Sequence, residues 1–466
     1  MTDLNKGAAR RLIGLGFDGK PIHAPRPSHS LLLAAAGSRK TTCGSVPWLL
    51  SLIADRSRAI VVNDGKDGEI AAQCADACHA YGRTVAILDD FGVLGPDNPY
   101  AVSLSPFGAV IAAHKAARGE LTFSAENANH ALIAEPPNDA RNQYWRDEPR
   151  GNIEFALRAL LRRNPNLATP GGVWALVADP GTFIRAAEVE AEEADETLSA
   201  LARHILDMRA HNQEHFGQHR GAVLKALRIY GADSPLHRCG LDADATHLGL
   251  LRDKAVIFLV GPQRHMGRLG AHYALHLQSF VEALLGGTSG PVDFILDEFT
   301  NAPLGALVAA LTTMRGYGGN CHMIAQSRSE IQRKYGEKET ATIEENAVVK
   351  QWFGFSSFEE AERVSRAMGE ARFLQHSLGI TQDRLDWSDN LSTGKDRLLS
   401  AEQLMRLPPD EQILHVKDVG FVHCRKLGQN QIAPFCHGGL AANPLEGGRL
   451  PPDPKVTLPI RKAGRR

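Results

Sequence analysis

Leu31-Leu32-Leu33-Ala34-Ala35-Ala36-Gly37-Ser38-Arg39-Lys40-Thr41-Thr42 joins an apolar run, a turn of small residues and a Lys-Thr pair without interruption. Residues 30–36 read as a buried strand, Gly37-Ser38 as a turn, and the stretch through Ile53 as an amphipathic helix. A strand that turns sharply into a helix aims backbone N–H groups at phosphate oxygens. Ala35, Ala36, Gly37, Ser38, Arg39, Lys40, Thr41 and Thr42 then line a phosphate cradle. Lys40 reaches the β- and γ-phosphates, and the Thr41 hydroxyl is a Mg2+ ligand. Against the pattern G-x-x-x-x-G-K-[ST], Ala34 stands at the first glycine and Arg39 at the second. The alanine is a small steric change. Arg39 places a side chain where backbone approaches phosphate, so it either crowds the ligand or adds a guanidinium contact.

Outward from this turn, residues 58–63 and 84–89 read as further strands separated by helical patterns, which predicts βαβ units and a parallel sheet. After Asn98-Pro99 the pattern changes. Residues 107–249 show helical periodicity, with Ile153, Ala156, Leu157, Leu160 and Leu161 on one face and Asn164-Pro165 as a stop. Six acids within 188–196 read as a solvated helix face. Strand-like runs return at 255–260, 292–296, 322–325, 348–353 and 413–416. The predicted fold is one α/β sheet interrupted by an all-helical insertion: 1–106 and 250–436 form the sheet, 107–249 the insertion, and 437–466 a loose basic tail. Six basic residues and one acid among the last twenty motivate the tail. No fixed-period repeat is present.

Val292-Asp293-Phe294-Ile295-Leu296-Asp297-Glu298 ends an apolar strand in two acids. Downstream of Lys40-Thr41, this is the carboxylate pair of a P-loop ATPase: Asp297 holds Mg2+ and Glu298 polarises the attacking water. Met323-Ile324-Ala325-Gln326 ends a third strand in a neutral amide. Gln326 fits a γ-phosphate sensor of a RecA-like sheet. Arg315, at the end of the preceding helix, is a candidate arginine finger acting across a subunit interface. The cofactors implied are ATP and Mg2+.

Composition narrows the class. Lys and Arg total 52 against 53 Asp and Glu, a net charge of −1, so bulk charge does not coat nucleic acid and any phosphate backbone must meet a local basic surface. With 43 % hydrophobic and 23 % charged residues, the chain is not a disordered one. No apolar run is long enough to span a membrane, and residues 1–11 lack the apolar middle of a signal peptide. Seven scattered cysteines predict a reducing cytoplasm. His211, His215 and His219 share a four-residue spacing but have no cysteine nearby, and read as a solvated face. His272 and His276 lie on a more apolar helix and read as packing residues, as do Cys74 and Cys78.

Together these stretches resemble the TraG-type family of type IV secretion coupling proteins, over about residues 14 to 435. The resemblance is carried by the altered P-loop and by Asn63-Asp64-Gly65-Lys66-Asp67-Gly68-Glu69, similar to the family's Asp-Lys-Gly-Glu stretch. Further matches are Asn98-Pro99-Tyr100, Tyr144-Trp145, Leu250-Leu251-Arg252-Asp253, Leu296-Asp297-Glu298-Phe299 and Gln326-Ser327 up to Tyr335-Gly336. Arg397-Leu398-Leu399-Ser400-Ala401-Glu402-Gln403-Leu404 with Leu407-Pro408 resembles the C-terminal signature. The resemblance implies a RecA-like P-loop NTPase domain with an inserted all-α domain, assembled as a homo-hexamer. It implies ATP-driven delivery of DNA (as a relaxase–DNA complex) or secreted protein substrates to a type IV secretion channel in conjugation. Members usually begin with membrane-spanning helices. Since this chain shows none, the expected location is the cytoplasm or the inner-membrane periphery, through a separate membrane anchor protein. Two other readings stay open: a degenerate P-loop scaffold that binds cargo without turnover, and a general FtsK/HerA-like DNA pump.

Overall fold

Strands buried on both faces read as continuous apolar runs, and all eight such runs become strands. The computed structural model describes residues 10–116, 119–137, 139–302, 305–378, 389–445, 448–460 and 462. In chain order the strands are β1 (Leu12–Leu15), β2 (Pro21–His23), β3 (His29–Leu33), β4 (Ala59–Asp64), β5 (Val85–Leu88), β6 (Val256–Val260), β7 (Val292–Leu296), β8 (Gly319–Ala325), β9 (Ala347–Trp352), β10 (Glu370–Leu378), β11 (Asp389–Arg397), β12 (Glu411–Val416) and β13 (Gly420–Arg425).

Eleven of them form one sheet in the order β2-β1-β13-β12-β9-β3-β8-β7-β4-β6-β5. From β9 to β5 every pairing is parallel. From β9 outward to β2 every pairing is antiparallel. Among the described residues, β10 and β11 pair only with each other. Successive side chains of a strand point to opposite faces. Accordingly Leu31 and Leu33 join one core and Leu32 the other.

Between β5 and β6, every element from Gly108 to Arg252 among the described residues is helical. Phe155, Phe183 and Tyr230 of that stretch share one core with Leu31, Val61 and Phe294 of the sheet. The fold is thus a RecA-like P-loop α/β sheet with a helical insertion between two of its strands.

Two expectations need correction. The segment after 437 is not loose over its described part: Ile432–Ala433 pairs with Val456–Thr457, Val456 and Leu458 are buried, and Asn443 donates to Glu69 Oε1 at 2.8 Å. Its Pro-rich, basic composition hides the few apolar residues that anchor it. The three histidines do not share a helix. His211 ends one helix (Glu196–His211), and Asn212 caps the next (Gln213–Ala226) by accepting the His215 N–H. His219 is buried against Tyr144 and Trp145 rather than solvated.

Candidate active site

β8 lies between β3 and β7, so the turns leaving these three parallel strands open at the same sheet edge. Ligands of open α/β sheets sit at such carboxyl ends. The turn after β3 is exposed over Ala36 and Gly37, then dives inward so that Lys40, Thr41 and Thr42 are buried. Thr41–Ser45 is a π-helical turn before the helix Val46–Leu52. Such local widenings are common at functional sites. Gly37 has φ +75° and Arg39 φ +67°. The second glycine position therefore keeps its left-handed backbone with arginine in place, at about 1–2 kcal/mol of steric cost.

Glu298 follows β7 with φ +48°, which turns its carboxylate back toward the loop. Its Oε1 accepts from Lys40 Nζ at 2.5 Å and from Gln326 Nε2 at 3.4 Å, and its Oε2 accepts from Asn301 at 2.9 Å. Burial raises the Glu298 pKa, but the Lys40 hydrogen bond and charge, with Lys66, outweigh it and hold the carboxyl below its ordinary value. The structure thus brings Lys40, Thr41, Asp297, Glu298 and Gln326 to one edge. Arg315 is not among them. It is exposed and precedes β8, whereas Gln326 follows that strand, a separation of roughly 20 Å at about 3.3 Å per residue.

Three further residues belong to the site. Lys66 Nζ lies 3.5 Å from both Asp297 Oδ2 and Glu298 Oε1. Burial lowers the Lys66 pKa, but Asp297, Glu298 and Glu69 together raise it above the ordinary lysine value. Glu69, at the start of the helix Glu69–Ala80, accepts the Thr41 hydroxyl at 3.1 Å. Both stand in the Asn63-to-Glu69 stretch, whose sequence marked the region without assigning roles. Lys426 had no sequence signal. Its ammonium donates to the carbonyls of Ser38 (3.4 Å), Phe353 (2.8 Å) and Pro409 (2.9 Å), tying the phosphate turn to the end of β13. Burial pushes its pKa down to about 8.

The donors fit a hard divalent cation. Asp297 Oδ1 is buried with no hydrogen-bond partner, and the Thr41 hydroxyl and Glu69 carboxylate add oxygens of the kind Mg2+ takes. Burial raises the Asp297 pKa, with Lys66 and Lys40 opposing.

Residues 291–409 match the family described as the TraM recognition site of TraD and TraG. VirD4 of Rhizobium radiobacter is 28 % identical over 258 residues, which cover 53 % of this chain and 37 % of that protein. VirD4 of Agrobacterium fabrum is 26 % identical over 258 residues, covering 53 % and 38 %. The chain is thus similar to the TraG/VirD4-type coupling proteins. The matched segment spans well under half the length of either VirD4 protein. Among solved structures, the unbound bacterial conjugative coupling protein TrwBdeltaN70 superposes with a TM-score of 0.63 at 16 % identity, over 91 % of this chain and 90 % of that one. TrwB in complex with ADP and Mg2+ gives 0.64 at 16 % identity, with the same coverage. These likenesses establish the fold. No described helix is long and apolar enough to cross a membrane.

Proposed function

We propose that this chain is the ATP-hydrolysing motor of a coupling protein that recruits or moves DNA or protein substrates toward a type IV secretion channel. The observation that carries this reading is the convergence of Lys40, Thr41, Asp297, Glu298 and Gln326 at the carboxyl ends of β3, β7 and β8. Residues 1–106 and 250–436 form the motor in this reading, and 107–249 the inserted all-α unit.

Phosphates enter the turn at 35–42, where backbone N–H groups and Lys40 receive them. Thr41 and Asp297 would hold Mg2+, which would supply positive charge to neutralise the phosphates. A triphosphate competes with Glu298 for Lys40, so nucleotide binding releases the Glu298 carboxylate. Held by Asn301 and Gln326, that carboxylate accepts a proton from the attacking water. Gln326 follows β8 and donates to Glu298 after β7, and so links the two strand ends. Lys66 favours the ionised form of both carboxylates. Arg315 acts, in this scheme, only on the nucleotide of a neighbouring subunit in a homo-hexamer.

The partners follow from the resemblance. A relaxosome component of the TraM kind would meet residues 291–409, with a relaxase–DNA complex or secreted protein as cargo. A separate membrane protein would serve as anchor. The test is phosphate release with and without single- and double-stranded DNA, for wild type, Lys40→Ala and Glu298→Gln. Activity retained in both variants removes the assignment. The strained Arg39 backbone favours a second reading, a binding scaffold without turnover. Tight Mg·ATP binding with turnover excludes it.

A further inference from the structure

Asp90, Cys239, His272 and His276 each direct one ligand-type atom into a common point, and these four atoms lie within 4.8 Å of one another. Three separate segments supply them. Asp90 follows β5, Cys239 lies in the loop after the short helix Pro235–Arg238, and the two histidines occupy successive turns of the helix Met266–Leu285. His272 and His276 are fully buried and Cys239 is 8 % exposed. Asp90 retains 16 % of its side-chain surface, which leaves solvent a route to the cluster.

The surroundings are those of ligating histidines. A metal-bound imidazole normally has its far nitrogen fixed by an outer partner. His272 Nδ1 is hydrogen-bonded to the Tyr230 hydroxyl at 3.1 Å, leaving Nε2 facing Asp90 Oδ2 at 3.0 Å. His276 Nδ1 lies 3.1 Å from His247 Nε2, and its own Nε2 is buried with no hydrogen-bond partner. Cys239 Sγ sits 3.5 Å from the same Asp90 oxygen. A tetrahedral Zn2+ with bonds of about 2.0–2.3 Å sets its ligand atoms roughly 3.3–3.8 Å apart. The observed 3.0 and 3.5 Å separations bracket the lower part of that range, and the widest, 4.8 Å, needs contraction by a rotamer adjustment.

We propose that Asp90, Cys239, His272 and His276 form a structural zinc site. One thiolate, two imidazoles and one carboxylate are a donor set suited to this borderline-soft ion. Four protein ligands close the coordination shell, so the role is a clamp rather than a catalyst. Binding exchanges the Cys239 thiol proton for a Zn–S bond and releases that proton to solvent. The position gives the clamp its purpose. Asp90 and Cys239 are 149 residues apart and stand near the start and the end of the helical insertion, while the histidines belong to the sheet's own covering helix. The ion would fix both ends of the insertion to the sheet, independently of the nucleotide edge.

The test uses the full chain, stripped with a chelator and titrated with Co2+ in excess Mg2+, which occupies oxygen-only sites. Expected are tetrahedral d–d bands and a thiolate-to-cobalt charge-transfer band that saturate at one Co2+ per chain and vanish when one equivalent of Zn2+ is added. Cys239→Ser should lose the charge-transfer band and His276→Asn should weaken Co2+ binding, both with unchanged far-ultraviolet circular dichroism. Absence of tetrahedral bands in the wild type overturns the site, whatever the variants do. A charge-transfer band that survives in folded Cys239→Ser also overturns it, because the sulfur ligand would then lie elsewhere.

Discussion

Glu298→Gln should tighten nucleotide binding while stopping turnover, because one carboxylate serves two purposes. Lys40 and Glu298 are in contact at 2.5 Å, with side chains only 8 % and 16 % exposed. At an effective dielectric of about 20, opposite unit charges about 4 Å apart attract by roughly 4 kcal/mol before desolvation is counted. Desolvation of both groups offsets most of that, leaving a net of about 1–2 kcal/mol for a partly buried pair. A triphosphate must overcome this pairing to reach Lys40. Glutamine keeps the shape and the Asn301 and Gln326 neighbours but removes the charge. Mg·ATP should therefore bind roughly 5–30-fold more tightly. The amide cannot accept the water's proton, so turnover should fall by about 10²–10⁴. Equilibrium titration with a fluorescent ATP analogue, beside phosphate release, reads both quantities. Wild-type turnover would refute the base assignment, and unchanged or weaker binding would refute the competition for Lys40.

Arg39→Gly should stabilise the protein by about 1 kcal/mol in urea unfolding, since glycine adopts φ +67° without strain. The loop already holds its shape, so turnover should stay near wild type; a gain of roughly tenfold would mean the guanidinium crowds the phosphates. Asp64, whose Oδ2 accepts the N–H groups of Ile70 and Ala71, is held by burial at a pKa of about 8, above its ordinary 3.8. Its contribution to stability is fully present below the ordinary 3.8 and is lost progressively as pH rises from there to about 8. Thermal melts across that range should show the loss in wild type and a flatter profile for Asp64→Asn. Asp293→Ala should cost about 3–5 kcal/mol in denaturant melts, because Arg58 and Asn320 lose a buried partner. Its place at the far end of β7 should leave kcat unchanged. Lys426→Met should raise KM for ATP more than it lowers kcat, because the lysine supports the phosphate turn from beneath.

The parallel strands at the centre of the sheet were legible because burial on both faces makes their sequences largely apolar, without a break in Val85–Leu88 and Val256–Val260. Of the antiparallel extension, only β12 was legible, through residues 413–416. β1 is four residues long, and four of the six residues of β13 are only half-buried, so neither offers a run to read. The β10–β11 hairpin escaped for another reason: Asp389–Arg397 is almost wholly polar, and no apolar period marks it.

The site divides along the same physical line. Lys40, Thr41, Asp297 and Glu298 stood out as candidates because each follows a legible strand, and strand order then brings them to one edge. Glu69 and Lys66 sit in a stretch that drew notice, but only the fold shows that β4 delivers Lys66 beside Asp297. Lys426 lies 388 residues from Ser38, and the four residues of the proposed zinc site come from three segments. Spacing rules detect chemistry that is local in sequence. Chemistry that joins distant segments leaves single, unremarkable letters, as with the Lys426 contact to the phosphate turn and the gathering of Asp90, Cys239, His272 and His276. The His272–His276 pair shows where reading stops: its spacing was visible, its burial was foreseen, and its meaning depended on a cysteine that no local pattern places beside it.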